Sequence, residues 1–101
     1  MFAPSGATPK SKLPVFFFIQ GGGFNSNSNA NFNGSDLARE VNLVVVSINY
    51  RVGPYGFLWG KEIEEGVGTG NAGLRDVVKG LEWVKDKIAL VSSPLDSGMV
   101  V

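Results

Sequence analysis

The stretch Leu13-Pro14-Val15-Phe16-Phe17-Phe18-Ile19-Gln20-Gly21-Gly22-Gly23-Phe24 decides how the rest of the chain is read. Residues 15–19 are apolar without alternation, and a short run apolar on both faces suits a strand covered from both sides, as in parallel sheets. The glycine triplet ends the run abruptly. A second run, Leu43-Val44-Val45-Val46-Ser47-Ile48, is β-branched and again apolar on both faces. The roughly twenty residues between them are enough for a crossover, so the two strands are expected to run parallel. An Asn/Ser-rich loop fills residues 25–35, with Asn at 25, 27, 29, 31 and 33. Ser35 or Gly34 then fits the cap of a short helix around Asp36-Leu37-Ala38-Arg39-Glu40.

Beyond the second run, Asn49 to Gly70 reads as a Gly-punctuated loop with a small acidic patch at Glu62, Glu64 and Glu65. Residues 73–89 give the clearest helix. Leu74, Val77, Val78, Leu81, Val84 and Ile88 recur at helical spacing, while Arg75, Lys79, Glu82, Lys85 and Asp86 populate the other side. Asn71 is a candidate cap, and Gly80 costs such a helix about 1 kcal/mol relative to Ala. The six apolar positions should outweigh that. Residues 1–12, rich in Pro, Ser, Gly and Lys, read as an extended arm, and Leu90–Val101 shows no strong period. The order strand, short helix, strand, long helix defines an α/β chain with two parallel strands, a short helix and one long amphipathic helix.

Composition narrows the function. The chain has 101 residues, which allows one small domain. Nine Lys+Arg balance nine Asp+Glu, against the basic excess of a nucleic-acid or anionic-membrane surface. The absence of Cys removes disulfides, thiol nucleophiles and thiolate metal sites. The absence of His removes the commonest general base near neutral pH, and any Ser-His-acid triad contained in these residues. No cofactor or metal site is expected. No apolar run approaches the ~20 residues of a membrane span. Met1 to Gly6 shows neither a basic n-region nor a long apolar stretch, so no signal peptide is visible there. Asn33-Gly34-Ser35 is a glycosylation sequon, of a kind that also arises by chance in Asn-rich loops.

The motifs, taken in order, resemble a family. Leu13-Pro14-Val15 leads to Gln20-Gly21-Gly22-Gly23-Phe24, and then to Asn49-Tyr50-Arg51-Val52-Gly53-Pro54-Tyr55-Gly56-Phe57-Leu58. Gly70-Asn71-Ala72-Gly73-Leu74-Arg75-Asp76 and Leu81-Glu82-Trp83-Val84 follow. Over residues 13–89 this succession resembles the type B carboxylesterases, the group containing cholinesterases and fungal lipases. The resemblance implies a fragment of an α/β-hydrolase fold, a single partial domain over 1–101 with residues 90–101 as a tail outside the pattern. Carboxylic esters would be the substrates, and fungal relatives of this kind are often secreted.

Acyl transfer builds negative charge on a carbonyl oxygen, which needs N–H groups held ready for it. In α/β-hydrolases a loop after a strand supplies such donors, together with the amide following the nucleophile. The resemblance makes Gly22 and Gly23 the oxyanion-hole amides, with Gly21 shaping the turn and Phe24 packing beneath it. Gln20 stands where many relatives carry His or an aromatic residue. Taken alone, the triplet would be a tight strand-exit loop. The resemblance also implies a salt bridge between Arg51 and Asp76, since relatives commonly pair these two, tying the exit of the second strand to the helix. Trp83 is expected to be a packing residue.

The family's chemistry also needs a Gly-x-Ser-x-Gly elbow, an acid and a histidine. No such pentapeptide occurs here. Ser97, in Leu95-Asp96-Ser97-Gly98-Met99, lacks both outer glycines and is a poor nucleophile candidate. The expectation is a truncated, inactive chain, the product of a shortened gene model or of splicing, whose nucleophile and base would have come later. Exposed strand edges around Phe16-Phe17-Phe18 invite self-association. The alternative is a non-catalytic α/β-hydrolase-like binding protein. Nucleotide binding is disfavoured: Gly21-x-Gly23-x-x-Ser26 lacks the third glycine of a dinucleotide fingerprint, Gly66-x-Gly68-x-Gly70 follows no strand, and no Walker lysine is present.

Overall fold

A computed structural model describes residues 1–8, 10, 12–26, 31–66 and 68–87, and the backbone of 99–100. In chain order the elements are β1 (Val15–Phe18), α1 (Ser35–Val41), β2 (Val44–Ser47), α2 (Gly53–Phe57), α3 (Lys61–Glu65), α4 (Ala72–Lys87) and β3 (Met99–Val100). Ile88, Ser97 and the tail 88–98 lie outside the described residues.

The three strands form one parallel sheet in the order β2-β1-β3. Val15 pairs with Val44 and Phe18 with Ser47 on one side, and Val15 pairs with Met99 on the other. The parallel arrangement of β1 and β2 agrees with the crossover argument, and β3 adds a short strand from the tail. Alternation along the strands sends Val15, Phe17, Val44 and Val46 to one face, where they form the core with Leu13 and Val84. Val77, Leu81, Ile48 and Ala7 close around it.

On the opposite face Val45 is fully buried, and α1 packs there through Ala38. The Phe18 ring stacks on Phe32 with centroids 3.9 Å apart. The helix α1 starts after Gly34, and the Asn33 Oδ1 accepts bonds from the Ser35 N–H (3.0 Å) and hydroxyl (2.6 Å). Gly34 is required by close approach: a Cβ there would lie 2.7 Å from Val45 Cγ1 and 3.0 Å from a Phe2 ring carbon. Helices on both faces explain why the strands carry apolar residues without alternation.

Some sequence expectations need correction. The stretch 49–70 is not simply a loop, because α2 and α3 form within it; Pro54 near the start of α2 costs no backbone bond there. The residues expected to form one buried stripe on α4 divide: Val77, Leu81 and Val84 pack on the sheet, whereas Leu74 and Val78 are 46% and 55% exposed. Trp83, expected to be a packing residue, is half exposed. The N-terminal arm is also more than an extended lead-in. Phe2 forms an antiparallel bridge with Val45, each donating its N–H to the other's carbonyl at 2.8 Å, on the side of β2 away from β1.

Candidate functional site

The glycine triplet follows the carboxyl end of β1 and is exposed. Gly22 and Gly23 adopt φ of 122° and 61°, the left-handed side where glycine carries no Cβ penalty. Phe24, at φ 63°, continues the turn despite its side chain. The loop closes on itself through the Asn25 N–H, which donates to the Gly22 carbonyl at 3.1 Å. Among the described residues the Gly22 and Gly23 amides donate to no backbone acceptor.

The segment after β2 lies alongside this loop. The buried Tyr50 hydroxyl donates to the Gln20 carbonyl at 2.7 Å. At the other end, the Gly53 N–H donates to the Phe24 carbonyl at 2.5 Å. The Phe24 ring does not sit beneath the loop in the interior but is half exposed, 5.0 Å from the Phe57 ring and 6.4 Å from that of Tyr50. Phe24, Asn25, Gly53, Pro54, Phe57 and Trp59 line an open, mostly apolar cleft of about 460 Å³ beside the triplet.

Arg51 and Asp76 pair as their motifs predict. The Arg51 Nε and Nη2 donate to Asp76 Oδ2 and Oδ1, each at 2.8 Å, and the Arg51 backbone N–H adds a third bond to Oδ2 at 2.9 Å. The hydrogen bonds from the guanidinium hold the Asp76 carboxyl below its ordinary range, and the same contact raises the Arg51 pKa. Asp76 lies in the first turns of α4, so the pair joins this helix to the segment that borders the glycine loop.

Sequence reading missed the contact that Tyr50 makes and the burial of Gln20. Tyr50 lies inside a recognised motif, yet nothing in its spacing announces that its hydroxyl meets a carbonyl thirty positions earlier. Gln20 is 4% exposed, and its Oε1 has no hydrogen-bond partner among the described residues. A polar residue directly after an apolar strand was the available signal for the latter.

A parallel sheet covered by helices on both faces, with a glycine loop at the carboxyl end of its central strand, is the arrangement of an α/β-hydrolase fragment. Two solved esterases agree. The Aspergillus niger esterase EstA is 45% identical with a TM-score of 0.82, covering 94% of this chain and 18% of that protein. A thermophilic pNB esterase is 36% identical with a TM-score of 0.78, over 88% of this chain and 19% of its own.

The carboxylesterase family model matches residues 1–91. Lipase 1 of Geotrichum candidum is 46% identical over 105 residues, 99% of this chain and 18% of the lipase. Secreted lipase 1 of Botryotinia fuckeliana is 45% identical over 91 residues, 85% of this chain and 16% of its own length. The chain belongs to the carboxylesterase family. It spans less than a fifth of the length of these lipases.

Proposed function

We propose that these 101 residues are the oxyanion-loop portion of a serine carboxylesterase or lipase, with Gly22 and Gly23 as the N–H donors to the carbonyl oxygen of a carboxylic ester. The observation that carries this reading is a pair of exposed glycine amides at the exit of β1, with positive φ and no backbone acceptor among the described residues. Donors fixed in advance stabilise an oxyanion because they need no reorganisation as its charge develops. The apolar cleft beside the triplet suits the hydrocarbon part of an ester. Similarity to proteins named lipase and para-nitrobenzyl esterase supports the substrate class.

A donor pair does not replace a nucleophile. The 101 residues contain neither a Gly-x-Ser-x-Gly pentapeptide nor a histidine, so by themselves they hydrolyse no ester. Two measurements test the reading. Titration of ¹⁵N-labelled protein with dimethylphosphinate, a tetrahedral oxyanion with two apolar arms, is expected to shift the Gly22 and Gly23 amides saturably and ahead of other residues. Shifts spread over the lysines, or absent at the glycines, would refuse the donor role. With a short p-nitrophenyl ester the rate is expected to equal that of buffer, and a product burst stoichiometric with protein would overturn the inactivity.

A further inference from the structure

A loop of three consecutive glycines has the widest choice of backbone conformations of any tripeptide, so it does not fix the direction of its own N–H groups. Something outside the triplet must hold it. Inside the turn the Asn25 N–H donates to the Gly22 carbonyl. Two holds from outside come from Tyr50–Gly53: the Tyr50 hydroxyl on the Gln20 carbonyl, and the Gly53 N–H on the Phe24 carbonyl. These two anchors on one segment bracket the glycine loop at its entry and its exit. That segment is in turn fixed to α4, since the Arg51 N–H, Nε and Nη2 all bind Asp76.

The entry anchor acts on a particular peptide plane. The Gln20 carbonyl and the Gly21 N–H belong to the same planar unit, so holding the oxygen fixes the direction of that N–H and the start of the glycine turn. The Gln20 Oε1 does not share this task, since it has no hydrogen-bond partner among the described residues. We propose that Tyr50 is the positioning residue of the Gly21–Gly23 loop, its hydroxyl preventing the Gln20–Gly21 peptide from flipping and so keeping the Gly22 and Gly23 amides aimed in one direction. Asp76 supports it at one remove by fixing the segment on which Tyr50 stands.

The functional meaning of this role rests on the reading of Gly22 and Gly23 as oxyanion donors, but its test does not. Tyr50→Phe removes the hydroxyl and keeps the ring that Phe24 contacts. In ¹⁵N relaxation the wild-type glycines are expected to show order parameters near the rigid value of about 0.85, and in Tyr50→Phe to fall below about 0.6, with α4 unchanged. Mobile glycines in the wild type, unchanged glycines in the variant, or an equal loosening of α4 would each overturn the proposal. Asp76→Asn supplies a second arm should Tyr50→Phe not fold. Loosening that reaches Gly21–Gly23 supports the relay, and loosening confined to the neighbourhood of residues 51 and 76 refutes it. Glycines that are rigid and Tyr50-dependent yet ignore dimethylphosphinate would leave Tyr50's role standing and remove the donor role alone.

Discussion

Asp76 accepts three hydrogen bonds from a single residue, and this gives one carboxylate control over how α4 meets the end of β2. Its pKa is depressed in the folded chain, so its contribution is fully present above the unfolded value of about 3.9. That contribution is lost as pH falls through the lower, folded value. The melting midpoint should therefore drop as the solution is acidified below about pH 4, and Asp76→Asn should flatten that part of the profile while lowering the midpoint at neutral pH. Midpoints recorded for both proteins across pH 2–7 decide it, and parallel profiles would sink the claim. The partnership was legible beforehand because both residues sit in recognisable motifs with opposite charge. Tyr50 was not legible in the same way: its partner is a main-chain oxygen, which no residue type advertises.

The approach of α4 to the sheet turns on Gly80. Helix propensity alone says that alanine there should gain about 1 kcal/mol. A Cβ at this position would lie 2.8 Å from Ile48 Cδ1 and 3.2 Å from Phe17 Cζ, and Phe17 is completely buried. Overpacking of this kind costs about 1–3 kcal/mol, enough to cancel or exceed the propensity gain. Gly80→Ala is expected to lower the urea midpoint or leave it unmoved, and a clear rise would show that the contact relaxes freely. β1, β2 and α4 were readable because each carries a continuous apolar run or a sustained period, whereas the two-residue β3 carries neither. The helices α2 and α3, five residues each, are too short for any period to emerge. The division of α4 into buried and exposed apolar residues depends on where the sheet ends, which the helix's own spacing does not state.

The radius of gyration is 15.8 Å, against about 13 Å for a compact domain of 100 residues. So open a chain covers its apolar surface incompletely. Leu74 and Val78 lie one turn apart on α4, and both are exposed together with Trp59 and Trp83. Phe2 protects the outer side of β2 at Val45, while β3 pairs on its far side with no other described strand. The isolated chain should therefore self-associate. Sedimentation coefficients are expected to rise with concentration, and a cooperative, concentration-independent melt of a monomer would refute this.

The register of the sheet also has a consequence in time. β1 lies between β2 and β3, yet Val15 and its partner Met99 are separated by roughly 80 residues of chain. At ordinary synthesis rates of about 5–20 residues per second, several seconds pass between the making of the phenylalanine-rich strand and that of its second neighbour. During that interval a nascent Phe16-Phe17-Phe18 has one flank unpaired, and unpaired apolar strands in an incomplete chain are the species most prone to misassembly.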